Sequence, residues 1–172
     1  MIKYGIDLGT TYSCIAYVDD QGEVRVINNA EGENITPSVV KYNKGAFEVG
    51  RKVKNEAVLY PELIVEAVKR SMGATLKNGK PAKIIIDGTE FYPQEISAAI
   101  LRKLVNDANK YLKADVKDVV ITVPAYFGQE ERNATAEAAK IAGLNLIKIV
   151  DEPTAAAICY QNHRSDSFEK HT

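Results

Sequence analysis

Gly5-Ile6-Asp7-Leu8-Gly9-Thr10-Thr11-Tyr12-Ser13 enters as a buried strand, passes through a tight turn and leaves as a second strand. A turn built from Gly9, Thr10 and Thr11 can bring backbone N–H groups and two hydroxyls against an anion with no bulky side chain in the way. Asp7, two residues upstream of Gly9, suits a hard cation such as Mg²⁺, held directly or through its waters. Together these residues have the chemistry of a phosphate-plus-magnesium grip.

Outward from this turn, residues 2–8 and 12–18 read as strands, and Asp19-Asp20-Gln21-Gly22 is a hairpin signal leading to a third strand at 23–27. The last third alternates. A β-branched run at 116–123 precedes a helix at 129–142 closed by Gly143, then a strand at 144–150 and a helix at 153–161. Strand–helix–strand order predicts a parallel pair with a helical crossover. With the three opening strands this gives an α/β fold on a mixed five-stranded sheet. Residues 1–34 and 116–161 then form the core, 35–115 an inserted α/β subdomain, and 162–172 a polar tail. Within the insert, short strands are expected near 37–42 and 47–49, helices at 51–57 and 61–71, and a hairpin about Asp87-Gly88. A long helix starts at Pro93, with Ile96, Ile100, Leu104, Ala108 and Tyr111 on its packed face and Lys103, Asp107 and Lys110 on the other.

The 172 residues are 45% apolar and 26% charged, enough for one globular domain with an insert. A formal charge of −1 argues against a nucleic-acid binder, which needs a basic stripe. There is no 18-residue apolar run and no leader pattern, so neither membrane nor export is expected. Cys14 and Cys159 lie far apart in apolar stretches and read as buried thiols of a reducing cytoplasm. Neither G-x-G-x-x-G nor G-x-x-x-x-G-K-[ST] occurs, and His163 and His171 sit in the polar tail, away from any nucleophile or metal set.

Two further clusters carry charge. Asp151-Glu152-Pro153-Thr154 places two carboxylates at a strand end before a helix, where ligands bind in open α/β sheets, and reads equally as a helix N-cap. Lys69, in Val68-Lys69-Arg70-Ser71-Met72-Gly73, taken alone is a solvated charge at a helix end.

In order along the chain, Ile6-Asp7-Leu8-Gly9-Thr10-Thr11-Tyr12-Ser13-Cys14, Thr36-Pro37-Ser38, Val123-Pro124-Ala125-Tyr126-Phe127, Ile141-Ala142-Gly143-Leu144 and Glu152-Pro153-Thr154-Ala155-Ala156-Ala157 closely resemble the nucleotide-binding domain of the DnaK-type, seventy-kilodalton heat-shock chaperones. The resemblance runs from residue 2 to about 161. Sugar kinases and actin-like proteins carry turns like the first motif; the Pro-Ala-Tyr-Phe and Glu-Pro-Thr-Ala-Ala-Ala pair is specific to the chaperones. The resemblance implies half of an actin-like (ribonuclease H-like) ATPase, with 35–115 as its outer subdomain. It implies that Thr10, Thr11 and Tyr12 hold the phosphates of ATP or ADP, and that Asp7 and Glu152 hold Mg²⁺ or K⁺ through waters. By the same resemblance Glu152 and Lys69 would act on the attacking water, Lys69 matching the family's catalytic lysine. Pro124 and Arg132 match residues that transmit nucleotide state to a peptide-binding domain. Unfolded polypeptides, a J-domain co-chaperone and a nucleotide-exchange factor are the partners it implies.

Two departures stand out. Val68-Lys69-Arg70-Ser71-Met72-Gly73 replaces the family's Ala-Lys-Arg-Leu-Ile-Gly, and Asp151 replaces a common Asn, adding charge beside the metal position. The family's second phosphate loop, Asp-Leu-Gly-Gly-Gly-Thr, falls in register after residue 172, so these residues alone are expected to bind ATP weakly and not to turn over. The competing readings are a non-enzymatic interaction module, and an actin-like or sugar-kinase relative.

Overall fold

The computed structural model describes residues 4–151. Its main sheet is built around β1 (Tyr4–Asp7), which pairs antiparallel with β2 (Tyr12–Val18) and parallel with a later strand, β10 (Asp118–Val123). β3 (Val24–Val26) pairs antiparallel with β2, and β11 (Asn145–Asp151) lies parallel to β10. The resulting order is β11-β10-β1-β2-β3, the mixed five-stranded sheet expected, with a two-residue strand β4 (Thr36–Pro37) added against β2. Ile6, Ile15, Val119, Ile121 and Val123 form its buried apolar layer. The β-branched run of β10 is buried because strands lie on both of its edges and helices pack over the sheet. Cys14 is buried in β2.

Between these strands the chain forms a second sheet from β5 (Val39–Asn43), β6 (Ala46–Val49) and β7 (Ile64–Glu66), in the order β6-β5-β7. The helix α1 (Arg51–Glu56) follows β6, and the hairpin β8 (Ile84–Ile86) and β9 (Thr89–Phe91) turns at Asp87-Gly88. The Tyr42, Phe47 and Phe91 rings pack at centroid distances of 4.8–5.2 Å and join that hairpin to the second sheet.

The helix expected over 61–71 does not form. Pro61–Leu63 and Val68–Ser71 are single 3-10 turns separated by β7, which pairs antiparallel with β5 at Val40↔Val65 and Lys41↔Ile64. The β-branched pair Ile64-Val65 finds a ready strand edge, and an isolated eleven-residue helix is marginal in water.

The long helix α2 (Pro93–Leu112) starts as expected: Glu95 accepts the Tyr92 backbone N–H at 2.8 Å. It is buried on more sides than a surface helix because it packs against β2, β5, β6, the Val68–Ser71 turn and the later helix α3 (Gln129–Ile141). Ile96, Ile100, Leu104 and Ala108 are buried, with Ala98, Leu101 and Val105 beside them. Tyr111 is exposed, whereas Asp107, expected on the solvent face, is buried. Asp107 accepts the Ala30 backbone N–H at 3.0 Å and lies 2.7 Å from the Lys103 ammonium, which also reaches Glu31 at 2.9 Å. The α3 crossover joins β10 to β11. The helix expected at 153–161 and the polar tail lie outside the described residues. Among those residues no helix is long and apolar enough to cross a membrane.

Candidate functional site

Because β1, β10 and β11 run parallel, their carboxyl ends share one edge of the sheet: Asp7 opposite Thr122, and Val123 opposite Asp151. That edge is where open α/β sheets bind ligands.

The turn leaving β1 is shaped by Gly9. A Cβ there would land on the Tyr12 carbonyl oxygen, so only glycine admits this fold-back. A closed ring of hydrogen bonds then holds it. The Gly9 N–H donates to Ser13 Oγ at 3.2 Å, Ser13 Oγ and Ser38 Oγ are 2.8 Å apart, and the Ser38 hydroxyl donates to the Gly9 carbonyl at 2.9 Å. The Ser38 backbone N–H also donates to the Thr11 carbonyl at 2.9 Å. Both serines are buried. Gly9 therefore serves the site by shape, its amide being engaged within the turn. Thr36-Pro37-Ser38 is legible in the sequence as a motif, but its task is not: the Ser38 hydroxyl closes the turn on Ser13, 25 positions away.

Asp7, at the end of β1, accepts a hydrogen bond from the Thr122 hydroxyl at 3.0 Å, which orients its carboxylate. Thr122, buried in the neighbouring strand, is a second residue the sequence did not disclose.

Lys69 is not a solvated helix-end charge. It sits in the Val68–Ser71 turn, 6% exposed, with its ammonium 5.7 Å from the centre of the Phe127 ring. Ala67, left-handed at φ 55°, redirects the chain from β7 into that turn. Gly73 seats its far end: its φ of +73° and the 2.9 Å between a Cβ there and the Glu131 backbone nitrogen leave no room for a side chain. The result is a cleft of about 210 Å³ lined by Thr10, Lys69, Tyr126, Phe127 and Glu131, among others. The opening turn and Lys69, about sixty residues apart in sequence, thus share one cavity wall.

Tyr12 points to the other side. Its phenol accepts from the Lys54 ammonium at 2.8 Å, and Lys54 and Arg51 of α1 lie 4.6 and 5.9 Å from its ring centre. The Lys54 hydrogen bond holds the phenol below its ordinary pKa. Arg51 is itself paired with Glu33 at 3.0 Å.

Pro124 and Arg132 bracket the turn from β10 into α3. The Pro124 carbonyl accepts the Phe127 N–H at 3.0 Å, and Arg132 Nε donates to the Phe127 carbonyl at 3.1 Å. Arg132 Nη2 donates to Asp151 at 3.0 Å, so the carboxylate that replaces the family's Asn is charge-paired. Glu152 follows Asp151 in the chain and lies outside the described residues.

Among the described residues no cluster of three or more His, Cys, Asp or Glu is poised as a metal cage. A single oriented carboxylate, Asp7, fits a cation that keeps most of its waters, as Mg²⁺ does. The arrangement can receive an oxyanion between a hydroxyl-bearing turn and a buried ammonium.

The family model described as Hsp70 protein matches residues 3–171. The chaperone protein DnaK of Thermotoga petrophila is 48% identical over 167 residues, which cover 96% of this chain and 27% of that protein. DnaK of Thermotoga maritima has the same identity and coverage, and that of Thermotoga neapolitana is 50% identical over 167 residues. The chain spans about a quarter of the length of the curated relatives it matches.

Proposed function

The chain belongs to the Hsp70 family, and from that membership we propose that it forms the first lobe of the ATP-binding domain of a cytoplasmic DnaK-type chaperone. In the whole protein, ATP hydrolysis would be coupled to binding and release of unfolded polypeptides, with a J-domain co-chaperone and a nucleotide-exchange factor as partners. Family membership sets the sugar-kinase reading aside. The core would comprise residues 1–34 and 116–161, with 35–115 inserted between them; within that insert α2 is the part that packs back on the core, against β2 and α3.

The observation that carries this reading is the burial of Lys69 in the cleft it shares with Thr10. The backbone N–H groups of Thr10, Thr11 and Tyr12, with the Thr10 hydroxyl, would hold the β- and γ-phosphates. The Lys69 ammonium would orient the attacking water and neutralise charge developing on the γ-phosphate. Asp7 and Glu152 would hold hydrated Mg²⁺ or K⁺, which when bound offsets phosphate charge, and Glu152 would help position the water. Pro124 and Arg132 would report nucleotide state to a peptide-binding domain.

The test is single-turnover hydrolysis with Lys69→Met in the protein that carries this chain. Hydrolysis is expected to fall by about 10²–10³-fold with ATP affinity nearly unchanged; unchanged hydrolysis overturns the reading. A polypeptide of these residues alone carries one phosphate loop. The loss of some three charge-assisted hydrogen bonds, about 1.5–3 kcal/mol each, lowers affinity by roughly a thousandfold or more. Calorimetry with Mg-ATP should show weak binding and no turnover; a micromolar or tighter constant would refute that expectation.

A further inference from the structure

Asp151 ends β11 directly opposite Val123, the last residue of β10, and the Pro124–Phe127 turn begins at the next residue. The only described bond of its carboxylate is to Arg132 Nη2, whose Nε donates to the Phe127 carbonyl. The guanidinium is a rigid fork, so the direction of one arm determines the direction of the other. Phe127 in turn presents its ring to the Lys69 ammonium and is 8% exposed, whereas its neighbour Tyr126 is 84% exposed. Asp151, Arg132, Phe127 and Lys69 therefore form a continuous run from the strand end to the cleft. An Asn at 151 would keep a neutral acceptor for the guanidinium, whereas the carboxylate adds an opposite charge 3.0 Å from it.

We propose that Asp151 is a positioning residue: its carboxylate holds the Arg132 guanidinium, and through it holds the Pro124–Phe127 turn in place beside Lys69. The effect on catalysis rests on the ATPase reading above; the effect on Phe127 does not. The Asp151 side chain is 54% exposed, so its role is local aim, with little contribution to global stability.

The experiment places 4-fluorophenylalanine at position 127 of the protein that carries this chain and follows its fluorine resonance. Asp151→Asn and Arg132→Gln should each shift it, the double variant should shift it no further than one single, and Asp151→Glu should restore it. The melting temperature should not move. In parallel, Asp151→Asn should slow single-turnover ATP hydrolysis by roughly fivefold with ATP affinity unchanged. An unmoved resonance in Asp151→Asn, or shifts that add in the double variant, overturns the proposal. A moved resonance with unaltered hydrolysis overturns its catalytic consequence. A wild-type protein without ATPase activity refutes the functional reading, and the fluorine measurement still decides the positioning role.

Discussion

At residue scale the opening turn depends on two kinds of necessity. Gly9 is required by space, and Ser13 and Ser38 by hydrogen-bond closure. Ser38→Ala leaves the buried Ser13 hydroxyl and the Gly9 carbonyl short of a partner, an arrangement that costs about 1–3 kcal/mol. Urea denaturation should show that loss, and Ser38→Thr should recover part of it. A midpoint unchanged in Ser38→Ala would mean that the ring does not hold the turn. Both serines are legible as residues, but their pairing across 25 positions is not, because a hydroxyl leaves no periodic trace.

At the scale of elements, β7 and the turns around it deliver Lys69 to the cleft. Ala67 holds a left-handed backbone, which costs a residue with a Cβ about 1–2 kcal/mol. Ala67→Gly should therefore raise stability by about 1 kcal/mol, somewhat offset by glycine's looser unfolded chain. A lower urea midpoint would show that the methyl group contributes more through packing. The helix α1 is tied by Lys41–Glu56 at 2.9 Å, which fastens it to β5, and by Arg51–Glu33 at 3.0 Å. The Lys41 and Arg51 hydrogen bonds hold the Glu56 and Glu33 carboxyls below their ordinary value of 4.5. For a depressed acid, the stabilisation is fully present above the unfolded value and is lost as pH falls through the folded one. Stability should be flat from neutrality to about pH 5 and decline below the ordinary carboxylate value; Glu33→Gln and Glu56→Gln should reduce that decline. An identical acid limb in both variants would remove these pairs from the account.

For the molecule as a whole, α2 is the shared wall of the two sheets, touching β2 on one and β5 and β6 on the other. Its buried Asp107 also fixes the loop at Ala30, through a backbone hydrogen bond and the Lys103–Glu31 pair. The two sheets should therefore unfold together. Leu104→Ala, at a site 2% exposed, should cost about 2–5 kcal/mol and shift circular dichroism and tyrosine fluorescence transitions equally. Two separated transitions would mean that the sheets are independent units. The helix itself is plain from its apolar period, yet its depth is not, since Lys103 and Asp107 look like a solvent face until the loop at Ala30 and Glu31 is placed against them.

By itself the sequence determined what short-range patterns encode. The Gly-Thr-Thr turn between strands, the crossover from β10 to β11 and the hairpin at Asp87-Gly88 all rest on residue spacing and local turn chemistry, and the family on motifs that occur in order along the chain. Only the tertiary structure decided that 64–66 is a strand, that Lys69 is buried beside Thr10, and that the Asp151 charge is taken up by Arg132. Each of those depends on what lies across from the residue: the edge of β5, the Phe127 ring, a guanidinium one element away. Such partners are set by long-range pairing, whose energy is not written in any local window of the chain.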